Sequence, residues 1–199
     1  MNENIMDQKY GIVVIEDQQK HLEEVKGLIE ARSDIVSAVY AANLAAAIDT
    51  LNSRKYDGIL SDAHFPEREG APESPCGKQI IDYAMTNRLP FTIVTSTYHH
   101  GSKTEPISRA SRSAGIELID EEDVGDSESS SKRWSDGLAT LVFLIDAQRA
   151  GQLTYEVKKS RLTGQESLQM IGPDGQQVKF SLEPYKEHAL DEIRTRLRL

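Results

Sequence analysis

Five short apolar runs, each followed by a stretch of different periodicity, restrict what this chain can fold into more than any other feature. The runs are "YGIVVIED" (10–17), "DIVSAVYA" (34–41), "DGILSD" (57–62), "PFTIVTST" (90–97) and "IELID" (116–120). They are rich in β-branched residues and show little polar–apolar alternation, as strands covered on both faces do in parallel sheets. Between them the spacing changes. In "QQKHLEEVKGLIEAR" Leu22, Val25, Leu28 and Ile29 recur at helical intervals, with charges on the other side. "NLAAAIDTLNSR" (43–54) predicts a second helix capped by Asn43, "KQIIDYAMTNR" a third, "TEPISRASRSAG" (104–115) a fourth and "WSDGLATLVFLIDAQRAG" a fifth. Strand and helix alternating five times over about 150 residues predict a doubly wound α/β fold around a five-stranded parallel sheet of the flavodoxin-like type.

The residues at the strand ends point to chemistry. In open α/β sheets the ligand crevice lies beyond the carboxyl ends of the strands. There the first run finishes on Glu16-Asp17, the third on Asp62 and the fourth on Thr95-Ser96. A carboxylate ending a buried strand is costly unless it is paired, hydrogen-bonded or bound to a metal. Three of them at adjoining strand ends suit one hard cation such as Mg²⁺, which takes oxygen ligands and neutralises their repulsion. Thr95 adds a hydroxyl donor for a phosphoryl oxygen.

Composition narrows the alternatives. With 23 Lys and Arg against 32 Asp and Glu the formal net charge is −9, which disfavours non-specific nucleic-acid binding. The closing "RTRLRL" is a locally basic exception. The single cysteine, Cys76, excludes an intramolecular disulfide and a cysteine-based zinc cluster, and reads as an ordinary thiol. "MNENIMDQKY" lacks the apolar core of a signal peptide and no later run is long enough to span a bilayer, so a cytoplasmic protein without a membrane partner is expected. The His99-His100 pair and "EEDVGDSESSS" read as solvated loops.

The strand-end residues, in their order and spacing, resemble the receiver domain of two-component response regulators over roughly residues 10–150. That resemblance implies Asp62 as phosphoacceptor, Glu16 and Asp17 as the acidic pair that holds Mg²⁺, and the backbone carbonyl of His64 as a further metal ligand. It also implies Thr95 as the hydroxyl that follows the phosphoryl group, with "FP" at 65–66 as the apolar-proline pair after the acceptor. The implied activity is phosphoryl transfer from a histidine kinase or phosphotransfer protein to Asp62, with output through protein–protein contact and no enzymatic turnover beyond self-phosphorylation. The family's lysine after the fifth strand is not found at its usual place. Asp120 to Asp123 stand there instead, with Lys103 too early and Lys132 too late. The family's switch aromatic is not found either, since no Phe, Tyr or Trp lies between Tyr98 and Trp134, and the loop after Asp62 is longer than usual. A binding module that keeps the fold without phosphorylation is the alternative these departures favour. A Mg²⁺-dependent phosphohydrolase is a weaker one, because Asp62-Ala63-His64 does not supply an Asp-x-Asp pattern.

Residues 151–199 have another character and are expected to form an extension to the 1–150 domain. "SLQMIGPDGQQVKFSL" predicts a hairpin around Pro-Asp-Gly, and "EPYKEHALDEIRTRLRL" a terminal helix. Such a segment is too small to bury a core of its own and too short for a usual winged-helix domain. It is expected to dock on the main domain or to mediate dimerisation.

Overall fold

The computed structural model describes residues 9–96, 102–116, 118–120, 132–159, 164, 166–172, 175–178 and 186–199, with the backbone alone for 186–190. Strand β1 (Tyr10–Ile15) leads into α1 (Gln19–Glu30), β2 (Val36–Ala41) into α2 (Leu44–Ser53), and β3 (Gly58–Asp62) ends at the predicted acceptor. Two short strands, β4 (Phe65–Pro66) and β5 (Glu73–Ser74), pair antiparallel in the long loop that follows. Then come α3 (Gly77–Asn87), β6 (Phe91–Val94), α4 (Glu105–Ala114) and α5 (Trp134–Arg149). The remainder is a hairpin, β7 (Thr154–Lys159) with β8 (Glu166–Ile171), and the helix α6 (Lys186–Leu197).

The central sheet is parallel, in the order β2-β1-β3-β6. This is the order of flavodoxin-like doubly wound sheets, whose crevice opens where the chain's direction of winding reverses, here between β1 and β3. The fifth predicted strand is much reduced. Among the described residues it pairs with β6 only through a bridge between Val94 and Ile119. The Ile119 amide donates to Ile93 (3.0 Å) and its carbonyl accepts from Thr95 (2.9 Å). Leu118-Ile119 is all that separates acidic residues in that run, too little apolar chain for a longer ladder.

Strand periodicity sorts the core into two layers. Val13 and Ile15 of β1, Ile59 of β3 and Phe91 and Ile93 of β6 meet α2, α3 and α4 on one face. Ile12, Val14, Leu60 and Val94 face the other way, onto α1, α5 and α6. Each such side chain, fully buried, contributes roughly 1.5–3 kcal/mol relative to exposure. Asn43 caps α2 as predicted, its Oδ1 accepting from the Ala46 amide at 2.9 Å. Gly137 lets α5 lie directly on the sheet: a Cβ there would sit 2.7 Å from Val94 Cγ2 and 2.9 Å from Leu60 Cδ1.

The extension departs from the predicted pairing. The hairpin joins 154–159 to 166–171, so the upstream "TYEVKK" supplies the partner strand. Among the described residues the downstream segment pairs with this hairpin through one bridge, Ile171 to Gln177. "TYEVKK" is mostly exposed, with Val157 64% accessible, so burial imposes no apolar pattern on this strand. The hairpin packs beside α4 and places Met170 in the first core layer, while α6 packs on α5 and places Ile193 and Leu197 in the second. No helix among the described residues is long and apolar enough to cross a membrane.

Candidate functional site

The carboxyl ends of β1, β3 and β6 place Glu16, Asp17, Asp62 and Thr95 where the sequence predicts them. Ladder bonds fix each position: the Glu16 amide donates to Ala41 (3.0 Å), and the Ala63 amide to Val94 (3.0 Å). Glu16, Asp62 and Thr95 are buried, and Asp17 is half-buried. One carboxylate oxygen from each of Glu16, Asp17 and Asp62 lies within 4.8 Å of the others. Asp62 Oδ1 accepts from the Ala63 amide at 2.6 Å, and Glu16 Oε1 from the Gln18 amide at 2.9 Å.

The residue that sequence reading set aside completes the cluster. Lys132 Nζ lies 2.5 Å from Glu16 Oε2 and 2.9 Å from Asp62 Oδ2, with its side chain only 2% exposed. The expectation that Lys132 comes too late in the chain for this site is therefore corrected. Lys132 stands two residues before α5 rather than directly after Ile119, so a strand-end search misses it across the intervening acidic and serine-rich residues. The local signal was a lysine just ahead of the most apolar helix, followed by Trp134, whose ring lies 5.6 Å from Nζ.

Burial pushes the Asp62 carboxyl up to about 7; Lys132 opposes that rise and Glu16 adds to it. Asp17 is also raised, first by burial and then by the charges of Glu16 and Glu73. Its Oδ1 is buried without a hydrogen-bond partner. With all three carboxyls ionised, they and one ammonium leave two negative charges, which one divalent cation cancels. The orphaned Asp17 oxygen and the all-oxygen donor set both suit Mg²⁺.

A cavity of about 240 Å³ opens over Asp62, lined by Thr95, Ser96, Lys132, His64, Lys103 and the Gln18–Glu73 pair. The His64 ring contacts the site's rim through Nε2, 3.3 Å from the Lys103 carbonyl, which requires that nitrogen to carry the proton. Lys103, too early by simple alignment, thus reaches the same cavity. Glu73, from the short β5, accepts from Gln18 Nε2 at 3.0 Å, so the long loop folds back onto the site. Cys76 is buried beside Ser74, its thiol pushed up by burial. Tyr98, His99, His100 and the acidic run at 121–131 lie outside the described residues.

No protein-family model matches the chain, and no curated protein matches it. Solved structures similar in fold include a two-component response regulator from Clostridium difficile, at 19% identity and a TM-score of 0.41, covering 59% of this chain and 86% of that one. A second is the non-phosphorylated receiver domain of the stress response regulator RcsB from Escherichia coli, at 15% identity and 0.45, covering 72% and 95%. A third is the chemotaxis response regulator CheY4 of Vibrio cholerae, at 14% and 0.38, covering 52% and 80%. The doubly wound architecture is given by the chain's own strand order and register.

Proposed function

We propose that this protein is a signalling receiver whose Asp62 accepts a phosphoryl group and whose output is contact with another protein. The observation that carries the reading is the buried Lys132 ammonium joining Asp62 to Glu16, with Asp17 beside them and Thr95 facing the same cavity. In the transfer, an Asp62 oxygen bonds to phosphorus as the P–N bond of a phosphohistidine breaks, and the leaving imidazole takes up a proton. Little covalent chemistry falls to the protein, so positioning and charge supply the catalysis. Glu16, Asp17, Asp62 and the His64 carbonyl would hold Mg²⁺, which neutralises charge on carboxylate and phosphoryl oxygens when bound. Lys132 balances part of the charge that develops, and Thr95 offers a hydroxyl to a phosphoryl oxygen. The alternative of a module without phosphorylation drew on the missing lysine and the missing switch aromatic, and Lys132 in the cluster removes the first of these grounds.

The test is intact mass at early times after incubation with acetyl phosphate. A Mg²⁺-dependent gain of one phosphoryl group, absent in Asp62→Asn, is expected. A folded protein that gains none, and whose tryptophan emission does not respond to beryllofluoride, would return the reading to a phosphorylation-free module.

A further inference from the structure

The hairpin of the extension carries a strand edge that the described residues leave open. Its inner strand, β8, packs beside α4 and takes a bridge from Gln177 through Ile171. The outer strand, β7, has β8 as its one strand partner among the described residues. An open edge presents a row of unpaired backbone N–H and C=O groups, a template for another strand. A two-stranded ribbon is also marginal in water and gains from further strands. On this edge stands Val157, the one large apolar side chain that the described residues leave exposed. Glu156 and Lys158 on either side of it are exposed as well.

The sequence of the edge is complementary to itself. Side chains on a strand alternate between faces, so Tyr155, Val157 and Lys159 share one side and Glu156 and Lys158 the other. Within the strand Lys158 Nζ lies 2.6 Å from Glu156 Oε2. A second copy of β7, turned antiparallel about Val157, sets Val157 opposite Val157, Glu156 opposite Lys158 and Lys158 opposite Glu156. Residues directly opposite in an antiparallel pair are within contact distance, and opposite charges there are favourable. The two neighbouring registers that keep like faces together are unfavourable. One sets Glu156 against Glu156, the other Lys158 against Lys158. Lysines on an edge ordinarily discourage pairing. Here Glu156 makes an exception of one register, that of β7 with itself.

We infer that the β7 edge is a self-association surface, on which two copies of the chain join antiparallel strands centred on Val157 into one four-stranded sheet. Such an interface is isologous, since each copy offers the same patch. A six-residue edge is small beside the area that permanent dimers bury, so association is weak and depends on concentration. The inference does not rest on phosphorylation of Asp62.

Sedimentation of the full chain over a concentration series tests it. The wild type should pass from monomer to dimer as concentration rises. Glu156→Lys and Lys158→Glu each replace both opposite-charge pairs across the seam by like-charge pairs, and should weaken association at least about tenfold. Both residues are exposed, so each variant should fold, which circular dichroism checks. An equimolar mixture of the two variants restores both opposite-charge pairs, so a heterodimer should form at least as tightly as the wild-type dimer. A wild type that stays monomeric up to about 1 mM would overturn the inference. So would dimers that survive undiminished in either variant alone, or a mixture that stays as monomeric as its parts.

Discussion

Lys132 and the arginines of α6 make the same kind of bond in opposite surroundings. Lys132 joins Glu16 and Asp62 with all three side chains no more than 4% exposed, whereas Arg194, Arg196 and Arg198 meet their acids at 38–68% exposure. In water-rich surroundings an ion pair is screened and contributes about 0–1 kcal/mol. In the interior each charge has lost its hydration, so the network is costly to assemble and far costlier to break singly. A buried network therefore fixes the geometry of its own groups, whereas a rim of exposed pairs contributes little to holding a helix in place.

The largest effect should follow from removing the buried cation. Lys132→Met leaves Glu16 and Asp62 as uncompensated buried carboxylates, and should cost about 3–5 kcal/mol near pH 8 in a urea titration. A loss no larger than that of an arginine variant would erase the contrast between the two regions.

A smaller effect sharpens the contrast through pH. The Asp62 carboxyl is raised to about 7 in the fold, against 3.8 ordinarily. Between those values the folded chain binds more protons at this group than the unfolded chain, so its contribution to stability falls as pH rises. That contribution is full below about 4 and lost as pH passes through about 7. In EDTA, Asp62→Asn should therefore raise the unfolding midpoint at pH 8 relative to wild type more than at pH 5. Equal gains at both would mean that the carboxyl is not held up by burial.

The smallest effect belongs to the surface. Arg194→Ala and Arg196→Ala should each shift stability by no more than about 1 kcal/mol, and less in high salt. A thermal unfolding series in increasing sodium chloride would show it, and a salt-independent loss of several kcal/mol would place these pairs with the buried ones.

These contrasts also explain which parts of the molecule could be read from residues alone. Strands β1, β3 and β6 announce themselves because burial on both faces demands unbroken apolar runs, as in "GIVVI" and "GIL". Glu16, Asp17, Asp62 and Thr95 were legible for the same reason: each stands at an abrupt end of such a run. Lys132 carried no comparable mark, since its position comes from where α5 begins and not from a strand end. The β7 strand was hidden by its polarity, and the seating of Gln18 and Glu73 over the cavity depends on how a fourteen-residue-scale loop folds back, which local propensity does not encode. The basic tail was visible as charge, but only its packing shows that each arginine has an acid waiting.

The absent side chain at Gly137 has a consequence for the reach of Lys132. With the Val94 and Leu60 methyl groups closer than a Cβ tolerates, the backbone of α5 rests directly on side chains of the sheet, about one turn after the lysine leaves for the cluster. A methyl group at 137 would lift the start of α5 and draw the ammonium away from Asp62, while pressing on Leu60, two residues upstream of the same carboxylate. The charge balance of the site is thereby set by a contact distance on the far layer of the core, where neither acid nor base takes part.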